Sequence, residues 1–408
     1  MINTIDLFAG CGGLTEGFKQ SDHFNTIACV EWETAPCENL KYHLRKKWGT
    51  LNVEQRVLRF DIQRTQELLY GWNDDDYGQS EGLDALVRND GGTVDLIIGG
   101  PPCQAYSIAG RIRDKDGMKN DYRNYLFESY LEIVEHYKPK AFVFENVPGM
   151  LSARPGDGSE LIIEKIKRHF SEAGYTILDS LKDAIIDFAE YGVPQRRSRL
   201  VILGLNKEYY GDDASSLLNE FYSTILPQNK VKTAKTVYDA LKNLPPLYPL
   251  TEPIKTNGKR LSHLGHSDNE VHNHEARFQN LRDIEVFRML AKDIETKAYK
   301  YSSTDALKEL YTKITGRTSN VHKYNVLRWD EPSNTIPAHL YKDGLRHIHP
   351  DSEQARSITV REAARLQTFP DDYKFVSGSS LNFKMIGNAV PPLFAKILAE
   401  SIYTLLFS

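Results

Sequence analysis

The sequence contains little cysteine, and the cysteines that it has are scattered. Its 408 residues include four of them, Cys11, Cys29, Cys37 and Cys103, and no two form a CxxC pair. Cysteines so few and so irregularly spaced exclude a disulfide framework. A structural zinc site would lack its usual thiolate ligands. We therefore expect no metal site and a protein of a reducing compartment.

Long apolar runs are missing too. The N-terminus has no basic segment followed by an apolar stretch, so it does not resemble a signal peptide. The longest apolar runs are about as long as a β-strand, which predicts no membrane span. With 40% hydrophobic and 26% charged residues, the chain can bury a sizeable core, and wholesale disorder is excluded. We expect a soluble cytoplasmic protein of two or three domains, or one enlarged domain.

The sequence also lacks an excess of positive charge. It has 51 lysines and arginines against 55 aspartates and glutamates, a formal net charge of -4. This balance gives no support to a nucleic-acid partner. It does not exclude one, because binding depends on where the positive charge lies, and basic residues cluster at 111–123 and 195–199.

What is present in the first half is an alternation of short apolar runs and helical segments. The predicted strands cover residues 4–8, 26–31, 94–98, 141–144 and 200–203. Several are continuous apolar runs, as expected for strands that are covered on both faces. Strands that alternate with helices predict an α/β fold with a doubly wound, mainly parallel sheet.

The alternation stops at about residue 205. Residues 206–354 carry a proline-rich stretch at 244–253 and one predicted helix at 275–294. A capped helix at 359–366 and an apolar helix at 389–406 then follow. We therefore predict one large α/β domain from residues 1–205 and 355–408, with a second, smaller domain at 206–354.

A glycine-rich turn follows the first predicted strand, in the segment DLFAGCGG at 6–13. Glycines there let the backbone approach a ligand closely. The dinucleotide pattern GxGxxG would need glycine or alanine at Thr15, which counts against NAD. Glu31 ends the second strand, where an acid can hold ribose hydroxyls. Trp32 offers a ring platform and Asp61 an acceptor for an adenine amino group, so the three together suit an adenosyl cofactor.

A candidate nucleophile follows the fourth predicted strand, in GGPPCQ at 99–104. Most lone cysteines are small buried hydrophobes. Cys103, however, lies in a polar loop beyond a strand's C-terminal edge, where ligand sites of α/β proteins form and where a thiolate is a credible nucleophile. The next strand places Glu145 at the same edge. Alternate positions Gln195, Arg197 and Arg199 form either a solvated edge or a face pointing at Cys103 and Glu145.

These segments together resemble the bacterial C5-cytosine DNA methyltransferases of restriction-modification systems. The matching blocks, in the family's order, are DLFAGCGG (6–13), GGPPCQAYS (99–107), ENV (145–147), QRRSR (195–199), REAARLQTFPDDY (361–373) and GNAVPP (387–392). Residues 206–325 match least, and the family places its variable target-recognition segment there. The resemblance therefore makes 206–354 a target-recognition domain.

The resemblance implies a covalent mechanism on cytosine. The Cys103 thiolate adds to C6 while Glu145 protonates N3 or hydrogen-bonds to it, and the activated C5 takes the methyl group of S-adenosylmethionine. Loss of the C5 proton then expels Cys103. Arg199 is the expected holder of the cytosine O2, and Arg197 is expected to support either Glu145 or a phosphate.

The resemblance also assigns binding residues. The cofactor contacts carried over by motif are Phe8, Gly10, Gly12, Glu31, Trp32, Asp61, Ile62, Pro101, Leu126, Asn388 and Val390. The target base must be flipped out of the duplex, and residues 104–123 suit a mobile lid. The expected DNA contacts are Gln104, Ser107, Arg111, Arg113 and Gln195.

The implied partners are double-stranded DNA and, functionally, a cognate restriction endonuclease. We expect a monomer of the bacterial cytoplasm, associated with the nucleoid and with no membrane. One alternative keeps the chemistry but acts on a tRNA cytosine. A binding protein without catalysis is opposed by Cys103 with Glu145, and a Rossmann oxidoreductase by the glycine spacing. The His-Asn-His triplet at 272–274 lacks the ββα context of a nuclease.

Overall fold

The computed structural model describes residues 1–102, 126–154, 160–256, 258–265, 271–322, 324–342 and 344–408, over which strands and helices are numbered in chain order. The strands are β1 (Ile2–Leu7), β2 (Phe24–Glu31), β3 (Val57–Arg59), β4 (Trp72–Asp74), β5 (Gly78–Ser80), β6 (Leu96–Gly99), β7 (Ala141–Asn146), β8 (Tyr175–Ile177), β9 (Ile185–Asp187), β10 (Ser198–Asn206), β11 (Leu247–Thr256) and β12 (Lys259–Gly265).

The helices of the first 220 residues are α1 (Gly13–Gln20), α2 (Thr34–Lys46), α3 (Val53–Arg56), α4 (Thr65–Tyr70), α5 (Gly82–Asn89), α6 (Leu126–Tyr137), α7 (Ile162–Glu172), α8 (Lys207–Tyr210) and α9 (Ala214–Glu220). Those that follow are α10 (Val237–Leu241), α11 (Leu281–Glu295), α12 (Thr304–Thr315), α13 (Val360–Leu366), α14 (Ser379–Asn388) and α15 (Pro392–Leu406).

The central sheet has eight strands. Their order is β3-β2-β1-β6-β7-β10-β8, with β9 also paired to β10. The five strands from β3 to β7 in this order run parallel, and β10 joins β7, β8 and β9 in antiparallel fashion. The predicted α/β fold with a mainly parallel sheet is confirmed, and each of the five predicted strands overlaps an observed one.

The strands of the sheet centre are covered on both faces. Phe142, Val143 and Phe144, consecutive in β7, all have 0% of their surface exposed. Consecutive side chains point to opposite faces of a strand, so such a run is stable only between two layers of helices. Helix α6 belongs to one layer, and its Tyr130 hydroxyl donates a hydrogen bond of 2.8 Å to the Val143 carbonyl.

The chain divides into two compact units. The first comprises 1–192, 197–232 and 389–408, and the second comprises 193–196 and 233–388. The predicted boundary at 205 therefore lies too early, because the first unit continues to 232 and includes α8 and α9. The reason is that the segment after β10 packs back on that strand: the Tyr222 hydroxyl accepts from the Leu203 amide at 2.8 Å and donates to the Val201 carbonyl at 2.7 Å.

The boundary predicted at 354 also differs from the division seen. Residues 355–388 belong to the second unit, because hydrogen bonds tie them to its segment 272–274, and a buried ion pair holds the start of 355–388 together. The Arg356 guanidinium donates to both carboxylate oxygens of Glu362 at 2.7 Å, and both side chains are at most 1% exposed. His274 Nδ1 lies 3.0 Å from the hydroxyl of Thr359, which caps α13.

The helix predicted at 275–294 begins later, at Leu281. Asn280 caps it, since its side-chain oxygen accepts from the Asp283 amide at 2.9 Å. Its apolar face helps to form the core of the second unit. The buried residues of that core include Ile284, Phe287, Leu290, Leu310, Tyr324 and Ile348.

One stretch, Ser379–Leu406, is long and apolar enough by composition to cross a membrane. More than half of its most apolar window is buried, at 56%. In α15 the side chains of Phe394, Leu398 and Ile402 are at most 1% exposed. The apolar character of this stretch is therefore that of a core helix.

Candidate active site at the carboxyl edge of the sheet

The parallel strands bring five loops to one edge of the first unit. Leu7 pairs with both Val30 and Gly99, while Glu31 pairs with Arg59 and Gly99 with Phe144. Each of these residues is within two residues of the end of its strand. The turns that follow therefore start side by side, at the edge where ligand sites form in α/β proteins.

The glycine turn after β1 is bonded to Glu31. The Gly10 amide donates to Glu31 Oε2 at 2.9 Å, and the Glu33 amide donates to Oε1 at 2.8 Å. Burial raises the pKa of Glu31, and these backbone hydrogen bonds oppose the rise. Each carboxylate oxygen has a further lone pair, so this oriented acid can accept hydroxyl groups from a ligand.

The turn itself leaves room for a ligand. Gly10 has φ +55°, and among the described residues beyond its chain neighbours none places an atom within 4 Å of the position of a Cβ. Gly12 has φ +84°, and Phe8 also has a positive φ, of 59°. The backbone here is therefore held in left-handed conformations with an open face at Gly10.

Other predicted cofactor residues lie at the same edge. Trp32, directly after β2, is 49% exposed, and Ile62 is buried after β3. One carboxylate oxygen of Asp61 accepts from the Gln63 amide at 3.0 Å. The Val390 carbonyl lies 2.3 Å from the place a Cβ on Gly13 would take, so Val390 reaches the glycine turn.

Two further predicted cofactor residues lie in helices. Leu126 opens α6 with its side chain buried, while Asn388 ends α14 in the second unit and is exposed. The remainder fit an adenosyl group. An oriented carboxylate, an exposed indole, an acidic acceptor and an open glycine turn are the donor, acceptor and stacking groups that such a ligand needs.

The carboxylate of Glu145 lies at the end of β7, paired with an arginine from the start of β10. Arg199 Nε is 3.0 Å from Glu145 Oε1, and the two side chains are 15% and 13% exposed. Burial raises the pKa of Glu145, while the charges of Arg199 and Arg197 lower it, and the net shift is upward. The protonated form is therefore more accessible near neutral pH than in an ordinary carboxyl group.

The turn after β6 touches this carboxylate. A Cβ added at Gly100 would lie 2.8 Å from Glu145 Oε2. Such a contact is closer than real Cβ atoms make, so any other residue at position 100 must displace the carboxylate. Gly100, the second glycine of the block, therefore leaves the space that the Glu145 carboxylate occupies.

Arg197 is an interior residue. Its side chain is 2% exposed, and its Nη2 donates to the Ala389 carbonyl at 3.1 Å. Its backbone carbonyl accepts from the Phe188 amide at 3.0 Å. Of the two roles predicted for Arg197, burial favours support of Glu145 and opposes contact with a DNA phosphate.

Gln195 lies before β10, which begins at Ser198, so it is not on one strand with Arg199 as the alternation predicted. It belongs to the second unit and is 0% exposed. Its amide nitrogen donates to Gln367 Oε1 at 2.7 Å, and its oxygen accepts from the Ile336 amide at 2.8 Å. With both ends of the amide bonded inside the protein, Gln195 is unsuited to the predicted DNA contact.

Asn146 was missed by the sequence reasoning, although it lies in the ENV block. Its Nδ2 donates to the Pro101 carbonyl at 3.2 Å, and its Oδ1 accepts from the Val147 amide at 2.9 Å. The side chain is 3% exposed. A polar residue at the end of an otherwise apolar strand was the signal available, because a buried amide needs partners.

The remaining predicted residues cannot be located. Cys103 and the predicted DNA contacts Gln104, Ser107, Arg111 and Arg113 lie outside the described residues. Pro101 and Pro102, which precede Cys103, are the last described residues of that segment.

Comparison with known proteins settles the family. The model of the family C-5 cytosine-specific DNA methylase matches residues 2–404. The chain belongs to this family. It is a DNA (cytosine-5) methyltransferase that uses S-adenosylmethionine, as the resemblance implied.

Two curated relatives match almost end to end. Type II methyltransferase M.Bpa9945I of Bacillus paralicheniformis is 37% identical over 98% of this chain and 98% of its own. Type II methyltransferase M.AgeI of Thalassovita gelatinovora is 31% identical over 98% of this chain and 99% of its own. The methyltransferase Dnmt2 of S. pombe has 14% identity, full coverage of this chain, 98% coverage of its own and a TM-score of 0.56, a likeness of fold.

Proposed function

We propose that this methyltransferase acts on a cytosine of duplex DNA with Cys103 as nucleophile, Glu145 as the partner of N3 and Arg199 as the holder of O2. The observation that carries the assignment is the Glu145–Arg199 pair. It combines a largely buried carboxyl group of raised pKa with a guanidinium 3.0 Å away. The turn that leads to Cys103 is in contact with it.

The proposed reaction passes through a covalent adduct between Cys103 and the base. The Cys103 sulfur forms a bond to C6, and the electron pair of the C5–C6 double bond moves toward N3, where Glu145 delivers a proton. As N3 gives its proton back to Glu145, the returning density makes C5 a nucleophile, and C5 forms a bond to the methyl carbon while the bond from that carbon to its sulfonium carrier would break, with the electron pair left on sulfur. Loss of the C5 proton restores the double bond and expels the Cys103 thiolate. The protein's part is to place the thiolate and to match charge at N3 and O2.

Bound S-adenosylmethionine would supply the electrophilic methyl group. We assign its ribose hydroxyls to Glu31 and its adenine ring to Trp32, Asp61 and Ile62. The amide bonds that orient the Glu31 carboxylate and the 49% exposure of Trp32 support the assignment. Phe8, Gly10, Gly12, Pro101 and Val390 would surround the remaining part, next to the open face at Gly10.

We assign target recognition to residues 206–354, most of which belong to the second unit. C5 and C6 of a stacked cytosine are out of reach, so the base must leave the duplex. The basic residues of 111–123, including Arg111 and Arg113, are proposed to contact phosphates during that step.

The biological role we infer is protection of host DNA in a restriction-modification system. The supporting finding is that relatives matching end to end are named type II methyltransferases. A cognate endonuclease would then be a functional partner. The enzyme would act as a monomer on the DNA of a bacterial cytoplasm.

The proposal is tested with labelled S-adenosylmethionine and two substrates in parallel, duplex DNA and tRNA. We expect label in duplex DNA, at C5 of cytosine, and none with Cys103→Ser, which should still bind duplex and cofactor. Label in tRNA alone would overturn the duplex assignment, and a fully active serine variant would remove Cys103 as nucleophile. Bisulfite sequencing of DNA from expressing cells identifies the target site.

A further inference from the structure

The side chain of Asn146 joins the two segments that carry the proposed nucleophile and the proposed acid. It lies at the end of β7, directly after Glu145, and its Nδ2 donates to the Pro101 carbonyl at 3.2 Å. Pro101 precedes Cys103 by two residues in the chain. We propose that Asn146 is a positioning residue for the covalent step, holding the backbone that leads to Cys103 at a set distance from Glu145.

The bond is built into the fold. Asn146 is 3% exposed, and its backbone pairs with Leu200 of β10. Its side-chain oxygen accepts from the Val147 amide at 2.9 Å, which fixes the amide plane with its NH2 group toward Pro101. A buried donor held at both ends in this way resists rotation, because turning it would leave polar atoms without partners.

The contact between Gly100 and Glu145 also holds the turn after β6 against the end of β7. Glu145 Oε2 lies 2.8 Å from the place of a Cβ on Gly100, so the turn rests on the carboxylate as well as on the amide. Two adjacent side chains of β7 therefore meet two adjacent residues of the turn after β6. The thiolate and the acid must act on C6 and N3 of the same ring, so their separation must match the base.

Asn146→Asp is the sharpest test, because it retains the acceptor for the Val147 amide and removes only the donor to Pro101. Asn219→Asp is the matched control. Its Nδ2 donates to the Ser215 carbonyl at 2.9 Å, but on an exposed helix surface. Asn146→Ala removes the donor without adding a negative charge beside Glu145, and so separates the lost bond from the added charge.

The measured quantity is the single-turnover rate of covalent adduct formation with a duplex that carries 5-fluorocytosine at the target site. In this base, fluorine replaces the C5 hydrogen that is normally lost as a proton. Because fluorine cannot be removed in that way, the bond between the Cys103 sulfur and C6 persists after the methyl group has been added. We expect both Asn146 variants to form adduct about 10 to 100 times more slowly than the wild type. Asn219→Asp should match the wild type.

Other readouts separate positioning from a structural or chemical role. Equilibrium binding of S-adenosylmethionine and of the duplex should stay within about threefold of the wild type, and melting temperatures should be close. Alkylation of Cys103 by iodoacetamide, read by mass spectrometry, should keep its rate and pH dependence. The other cysteines are at most 2% exposed.

Three results would overturn the inference. Adduct formation at the wild-type rate in Asn146→Ala would show that the bond to Pro101 has no role. Binding and melting temperature that fall together with the rate would show a structural role. Slower alkylation would show that Asn146 acts on the thiol itself. The inference rests on the proposed function, which fails separately if the wild type forms no adduct.

Discussion

Replacing Gly100 by alanine should slow methyl transfer without unfolding the protein. The added Cβ would lie 2.8 Å from Glu145 Oε2, whereas ordinary van der Waals contact begins at 3.4 Å. The carboxylate must therefore move by about 0.6 Å, the difference between the two distances. It is the end of a flexible side chain, so the fold can absorb the shift.

The catalytic consequence is larger than the structural one. A misplacement of about 1 Å can cost about 100-fold in rate, so a shift of about half that size should cost about tenfold. That factor corresponds to about 1.4 kcal/mol of activation free energy. The displacement also strains the 3.0 Å pair with Arg199, which holds the carboxylate on its other side.

The assay is kcat for transfer of labelled methyl groups to duplex DNA, together with a thermal melt. Gly378→Ala is the control, because Gly378 has no positive φ and no atom of another described residue lies within 4 Å of its Cβ position, chain neighbours apart. We expect a tenfold loss of kcat in Gly100→Ala alone, with melting temperatures alike. An unchanged kcat in Gly100→Ala would refute the inference that catalysis needs the Glu145 carboxylate in its position next to Gly100.

Three further variants test other parts of the site and the fold. Glu145→Gln should slow transfer by about 100-fold or more, since the amide cannot donate a carboxyl proton to N3, and unchanged single-turnover rates would contradict this. Glu31→Ala should raise the Kd of S-adenosylmethionine, read by calorimetry, by about 10 to 100-fold with duplex affinity kept, because charged hydrogen bonds of about 1.5–3 kcal/mol are lost; an unaltered Kd would remove Glu31 from the cofactor site. Burial alone would raise the pKa of Glu16, but hydrogen bonds from His43, Gln20 and Trp48 lower it to about 2. The stabilisation is present above the unfolded pKa of about 4.3 and is lost as pH falls toward 2, so denaturant titrations should show a loss of about 3 kcal/mol over that window in the wild type and less in Glu16→Gln.

The site could be predicted from the sequence where local order decides geometry. Glu31, Glu145 and the glycine turn each follow an apolar run that had to become a parallel strand. The carboxyl ends of parallel strands meet at one edge, so these residues come together whatever the detailed packing. The order of the motif blocks added the family, which the family match confirms.

Alternation along the chain failed where a strand starts late. Gln195, Arg197 and Arg199 would share one face of a continuous strand, but β10 begins at Ser198. The residues before β10 pair with a different segment: Gln195 forms an isolated β-bridge with Ser333 in the second unit. Period-two reasoning holds only inside a strand, and the start of a strand depends on which neighbour is available to pair.

Taken alone, the sequence determined the fold class, the family and the edge of the sheet to which we assign the chemistry. These follow from apolar runs, turn residues and motif order, all of which are local along the chain. Only the tertiary structure decided that Asn146 holds Pro101, that Glu145 rests on Gly100 and that 355–388 belong with the second unit. Each of these depends on a hydrogen bond or close approach between segments far apart in sequence, and such partners have no local signature.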